Sequence, residues 1–466
     1  MTTTYDVRIW RIRPYKGKRG TTYTVRWVVA SEEKRETFAT EALADSFRSE
    51  LVSAARKGEA FDVETGHPVS RKPKGAGLSW YDFAVQFVDA KWARASANNR
   101  KNIAKTLTAT TVALFRREPG EFEPVEVRTA LREYAFNRNR RDSAPPDVAA
   151  ILRWAQRNTL PMTAWADTAW VDAVLNALAT KLNGRPAAAS TVKRHRRVLN
   201  IALDHAVRHG ILSANPLPKG RGSSPKTAAT VDRRCLLNPE QVGRLLGWIH
   251  PRPRTGTRLH AYFATLYYAG PRPEEAVAMR VRDVTLPAED AADQWGELVF
   301  HTATPEVGKH WTDSGEIHDT RHLKGRAEGE TRIVLAHPAL ARILREHIAA
   351  EELKPGDLLF PGEKGGRLSG SVFRRAWDKA RRAVLTDEEY ESPVGRRVYD
   401  LRHTCLTTWL NSGVPPAQVA AWAGNSVPVL LSTYALCISG QEADLKRRIE
   451  AAMQVGGEVS AGGGAW

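Results

Sequence analysis

The chain has 466 residues, 42% of them hydrophobic, and sets 69 Lys and Arg against 52 Asp and Glu for a formal net charge of +17. That length exceeds one ordinary core and implies several domains, while the positive excess implies a polyanionic partner, nucleic acid before an anionic membrane surface. No apolar run nears the roughly 18 residues of a membrane span, MTTTYDVRIWRIRPYKG holds no signal segment, and Cys235, Cys405 and Cys437 lack disulfide-framework or zinc spacing; a cytoplasmic protein without metal or membrane attachment is expected.

Residues 5–29 alternate as strands. Tyr5, Val7 and Ile9 share one face of YDVRIW, and Tyr23, Val25, Trp27 and Val29 share one face of TYTVRWVV. PYKGKRGT between them reads as a basic turn. The outer faces and the turn carry Arg8, Arg11, Arg13, Lys16, Lys18, Arg19 and Arg26, either a DNA-binding surface or the solvated side of a β-meander. A helix follows in EALADSFRSELVSAARKG, with Ala42, Phe47, Leu51 and Ala54 as its apolar stripe.

RKPKGAG (71–77) reads as a linker, and 79–217 as almost entirely helical, opening at an Ser79 N-cap. In STVKRHRRVLNIALDHAVRHG, Val192, Leu199, Ala202 and Ala206 face a core. Lys193, Arg194, Arg196 and Arg197 form a ridge, readable as a solvated face or as a contact to DNA phosphates. Gly210 and Asn215-Pro216 end that helix. PKGRGSSPKTAATVD (218–232) is a second linker, after which Asn238 caps a helix with Pro239 at its first position.

Beyond it, YYAGPRPEEAVAMRVRDV (267–284) has a Gly-Pro turn delivering Arg272 to an apolar-periodic helix with a strand-like end, Glu275 lying one turn away to orient the guanidinium. GELVFHTATP and TRIVLAHPAL read as strands flanking a charged connection, with Lys324 near the hairpin tip. In RRVYDLRHTCLTTWLNSG, Tyr399 and Arg402 share a helical face. His403, next to Arg402, turns away by about 100° on helical geometry. Last, AAWAGNSVPVLLSTYALC (420–437) sets Tyr434 among small and apolar residues, with Ser426 as the cap of its short helix.

Arg272, Lys324, DLRHT with Arg402, and Tyr434 32 residues later together resemble the tyrosine recombinase (phage integrase) family. AVRHGILSANPL resembles the end of that family's helical core-binding domain, and the N-terminal module resembles the arm-site binders of mobile-element integrases. The resemblance implies a multidomain chain: a β-sheet-plus-helix arm-site module at 1–65, an all-α core-site domain at 78–217, and a mixed α+β, mainly α, catalytic domain at 233–450. A flexible tail at 451–466 follows. The two larger domains would close on the duplex as a clamp, its affinity dominated by phosphates and salt-dependent.

It further implies that Tyr434 attacks a phosphodiester to give a 3′-phosphotyrosine and a free 5′-hydroxyl, with Arg272 and Arg402 clamping the non-bridging oxygens. Lys324, with Lys309 the weaker alternative, would protonate the departing oxygen. The ester is exchanged and not hydrolysed, so no cofactor is implied. Tyr399 and Asn425 stand where the family commonly has histidine (or lysine), and histidine or tryptophan; Asn425 can donate to phosphate without titrating. Implied partners are double-stranded DNA carrying attachment-type recombination sites, three further copies in a tetramer, and an accessory DNA-bending or excision factor; QEADLKRRIEAAM after Tyr434 would dock on a neighbour or on its own chain. A type IB topoisomerase and a non-cutting DNA-binding regulator are the competing functions.

Overall fold

A computed structural model describes residues 3–17, 20–69, 77–219, 230–291, 293–325, 327–434, 446–447, 449–450 and 453. Contacts divide the chain into two units, Met1–Thr227 and Ala228–Trp466.

In the first unit, β1 (Thr3–Thr4), β2 (Val7–Ile9), β3 (Arg13–Gly17), β4 (Gly20–Val29) and β5 (Glu32–Phe38) precede α1 (Glu41–Arg56) and β6 (Phe61–Asp62). β4 is central and antiparallel to β2, β3 and β5, while β6 pairs with β1. Alternation sends Val25, Trp27 and Val29 to one face of β4, where Ala44, Phe47, Leu51 and Ala54 of α1 join them in one cluster. Thr40 caps α1 by accepting from the Leu43 N–H. Three expectations are corrected here. The stripe of α1 includes Ala44 while Ala42 is exposed, because only positions 44, 47, 51 and 54 keep one helical face. PYKGKRGT is strand over much of its length, since β3 pairs with β4 as far as Gly17. Tyr5 is 75% exposed, lying ahead of the first residue of β2 and outside its alternation.

The rest of the first unit is helical: α2 (Trp80–Trp92), α3 (Ala97–Ala113), α4 (Pro124–Ala130), α5 (Pro146–Asn158), α6 (Thr168–Ala179) and α7 (Ala189–Arg208). Ser79 caps α2, its hydroxyl accepting from the Asp82 N–H at 3.0 Å. α7 buries Val192, Leu199, Ala202 and Ala206, together with Val198 and Leu203. The chain leaves α7 at Gly210, whose φ of +69° suits a glycine, and the Asn215 amide donates back to Asp204. The two linker segments fall mostly outside the described residues.

The second unit begins with α8 (Pro239–Ile249), where Asn238 and Gln241 cap each other's backbone N–H. α9 (Gly256–Tyr268), the single turn α10 (Pro273–Ala276), β7 (Val284–Thr285), β8 (Gly296–Phe300), β9 (Thr302–Ala303), β10 (Arg321–His322) and β11 (Arg332–Ala336) follow. Then come α11 (Pro338–Ala350), α12 (Gly370–Val384), α13 (Asp387–Glu391), α14 (Tyr399–Asn411), α15 (Pro416–Ala423) and α16 (Val427–Tyr434). β8 lies between β11 and β7, all antiparallel, and β9 pairs with β10. The helix expected after Arg272 is cut to one turn because the chain is drawn out against 355–358: the Val281 N–H bonds Asp357, and Arg280 bridges Leu358.

A large core gathers Leu245, Leu259, Phe263, Leu298, Val334, Leu344, Trp377 and Leu401. A smaller cluster of Cys235, Leu406, Leu410, Val419, Leu430 and Tyr434 seats α16. The segment expected to form a docking helix after Tyr434, and the tail, lie largely outside the described residues. Among the described residues no helix is long and apolar enough to cross a membrane.

Candidate active site

The α9–α10 turn shapes the first half of the site. Gly270, at φ +60°, lets the chain reverse where a Cβ would stand 3.0 Å from Cys405 Sγ. Its carbonyl accepts from Arg402 Nη1. Two residues on, Arg272 is the extended N-cap of α10; its backbone N–H donates to Glu275 Oε2 at 2.8 Å and its Nη1 to Glu275 Oε1 at 2.7 Å. Glu275 thus bonds the Arg272 guanidinium from one turn away, with a third member that the sequence did not announce. Arg332, at the start of β11, donates to both Glu275 oxygens, at 3.1 and 2.6 Å, and is as buried as Glu275. Burial pushes the Glu275 carboxyl up, but the Arg332 hydrogen bond and charge, then Arg272 and Arg402, hold it at about 2. Three guanidiniums thus act on one buried carboxylate.

Both motif arginines hold the chain leading into α16. Arg402 is 1% exposed, and its Nη2 donates to the Ala423 carbonyl at 2.7 Å. Arg272 Nη2 donates to the Gly424 carbonyl at 3.0 Å and to Asn425 Oδ1 at 2.9 Å. Gly424 ends α15 in the left-handed region at φ +62°. A Cβ built there stands 2.6 Å from Arg332 Nη1 and 3.4 Å from Arg272 Nη1. With Asn425 Oδ1 accepting from Arg272, its amide N–H groups are left to donate elsewhere. A guanidinium has five N–H donors: Arg272 uses three of them here and Arg402 two, and Arg402 Nε is buried without an acceptor among the described residues.

Arg272, Lys324, Asn425 and Ser426 line one cavity of about 480 Å³, with Gly325 and Glu330 on its rim of hairpin residues. Lys324 stands just beyond β10, at the turn expected for it, beside Gly325 at φ +78°. Lys309 is exposed and does not line this cavity. The Leu430 N–H donates to the Ser426 carbonyl, placing Ser426 at the head of α16 as expected. Tyr399, half-buried at the first position of α14, has its ring centroid 6.0 Å from Arg402 Cζ.

Tyr434 is 2% exposed and does not line the cavity. Its hydroxyl lies 2.9 Å from Nδ1 of His403. His403 does turn away from Arg402, and the face it turns to meets Tyr434 of α16. The imidazole sits edge-on between two phenols, with centroids 5.0 Å from Tyr399 and 5.7 Å from Tyr434. Burial first, then the charges of Arg397 and Arg402, push it down to about 4, so the ring is neutral at neutral pH.

In the first unit, directly opposite residues of paired strands share a face. By register, Arg8, Arg13, Tyr15 and Arg26 lie on the sheet face away from α1, with Arg35 of β5 opposite Arg26. Arg35 was missed because EEKRETF, charged on both faces, carries no apolar alternation. Lys16 pairs with Thr21 and so falls on the other face, a correction set by the one-residue register of β3. Arg11 is exposed between β2 and β3, Arg26 is tied to Glu33, and Lys18 and Arg19 lie outside the described residues. On α7, Lys193, Arg194 and Arg197 are exposed and Arg196 half-buried.

Residues 236–435 match the profile of the phage integrase family. That stretch is a phage integrase family domain. Among solved structures, this integrase-domain chain resembles the Tn1549 transposon integrase in complex with transposon right end DNA, at 13% identity and TM-score 0.50, over 81% of this chain and 100% of that one. That likeness shows a shared fold. XerH site-specific recombinase bound to difH substrate matches at 13% identity and TM-score 0.46, over 81% and 96% of the two chains. A lambda integrase tetramer bound to a Holliday junction matches at 12% and 0.41, over 89% and 91%. No curated protein sequence matches the chain.

Proposed function

We propose that the chain is a site-specific DNA recombinase that integrates or excises a mobile element by cutting and rejoining DNA through Tyr434. The observation that carries this reading is the grip of Arg402 and Arg272 on three consecutive residues, Ala423, Gly424 and Asn425, at the entrance to the helix bearing Tyr434. Phosphate clamp and nucleophile are thereby mechanically one piece.

In the proposed reaction the Tyr434 Oη–H bond breaks with its proton passing to solvent water, an Oη–P bond forms, and the P–O5′ bond breaks, leaving a 3′-phosphotyrosine. The spare donors of Arg272 and Arg402 and the Asn425 amide meet the charge that grows on the non-bridging oxygens. Lys324, in the same cavity as Arg272, protonates the leaving 5′-oxygen. Tyr399 flanks the clamp as a hydrogen-bond donor. Reversing these steps on a second duplex exchanges strands, and two duplexes exchanged this way occupy four protomers. The basic sheet face and the α7 ridge bind phosphates of the arm and core sites.

The test uses the full chain and a pool of randomised duplexes, each nicked so that cleavage releases a short strand and traps the product. Wild type is expected to yield a denaturation-resistant protein–DNA adduct, and Tyr434→Phe to bind without forming one. Binding by wild type with no adduct anywhere in the pool overturns the proposal and leaves a DNA-binding regulator. Adduct formation spread evenly over all sequences points to a topoisomerase instead.

A further inference from the structure

The contact between His403 and Tyr434 has no counterpart among the roles given above, and it falls on the atom that the proposed function makes the nucleophile. α14 makes two successive residues serve different neighbours. Arg402 turns to the carbonyls of Gly270 and Ala423, and His403, about 100° further round the helix, turns to α16. The Tyr434 ring is fixed by Leu430, Val419, Leu406 and Leu410.

We propose that His403 is a positioning residue for the nucleophile: Nδ1, 2.9 Å from the Tyr434 oxygen, fixes where that oxygen stands before DNA is cut. The inference rests on Tyr434 being the nucleophile. A holding role suits this imidazole better than a proton-accepting one. Burial and the arginines at 397 and 402 disfavour its charged form, whereas a phenol ordinarily ionises only near pH 10. A neutral ring still accepts or donates one good hydrogen bond at Nδ1. Edge-on contacts with Tyr399 and Tyr434 flank the ring on both sides.

The experiment measures single-turnover cleavage on a suicide duplex recovered with wild type, alongside DNA affinity and thermal melting. Misplacing a reacting atom by about 1 Å costs on the order of 10²-fold in rate. His403→Ala is expected to slow adduct formation by about 10- to 100-fold with DNA affinity unchanged within about twofold. His403→Asn places a hydrogen-bonding atom at the position of Nδ1 and is expected to recover the rate to within about threefold of wild type. Cleavage by His403→Ala at or above the wild-type rate overturns the inference, the faster result marking the contact as a latch. So does a His403→Asn protein that melts and binds like wild type yet cleaves as slowly as His403→Ala. If wild type forms no adduct, the proposed function itself fails; if it does and the histidine variants match it, only the role of His403 fails.

Discussion

The ridge on α7 and the arginines at the entrance to α16 use the same side chain under opposite constraints. Lys193, Arg194 and Arg197 extend into water, and among the described residues none of the four ridge positions has an ion-pair partner. Arg402 and Arg332 are 1% and 2% exposed and the Arg272 side chain 13%, each with donors committed to named carbonyls or to Glu275. The ridge keeps its rotamer freedom and its reach as a field over about a Debye length of some 8–10 Å. The buried set has given up both and gained orientation. A positive surface can gather phosphates from any approach, but a phosphorus in transition needs donors that already point the right way.

That contrast is most exposed at Arg402. Arg402→Lys keeps the charge and loses the fork that spans Gly270 and Ala423; adduct formation is expected to fall by about 10²- to 10³-fold, measured in single turnover, while DNA binding persists. A rate within about tenfold of wild type would show that charge alone suffices in the pocket, as on the ridge.

Arg332→Met is next. It leaves Glu275 buried with only Arg272 bonded to it, and a loss on the order of 3 kcal/mol in denaturant unfolding is expected. Adding Glu275→Gln is expected to return part of that loss, a coupling of about 1 kcal/mol or more in the double-mutant cycle. Strict additivity would mean that the two side chains are not working as a unit.

The smallest effect is expected on the ridge. Replacing Lys193, Arg194, Arg196 and Arg197 together by alanine should weaken DNA binding uniformly across sequences. The salt slope should become shallower by about 0.9 for each phosphate that the ridge no longer neutralises, with melting unchanged. An unchanged slope would assign the ridge to solvent.

The contrast also explains what the sequence made legible. Caps and periodic helices were readable because they are local: Ser79, Asn238, and the buried stripe of α7 stand where their side-chain chemistry and spacing require. Arg272, Lys324 and Asn425 each stand in a short motif, and the fold brings them to one cavity. Arg332 and His403 were not readable. Arg332 is the second residue of TRIVLA, where an arginine at a strand edge looks solvated until α10 brings Glu275 to it. The angle of His403 from Arg402 follows from the helix, but a helical angle says nothing about which element lies along it. β5 was hidden for a related reason, since its partner β4 supplies the buried side of the pairing and its own side chains are mostly charged.

Gly424 carries this logic to its limit. It offers the site only a carbonyl, yet a single added carbon would intrude on Arg332 and crowd Arg272 together, and its positive φ strains any side chain. In a lineage of such proteins the tightest restriction on sequence change would thus fall on the pocket residue with no reagent to offer, because what it contributes is room.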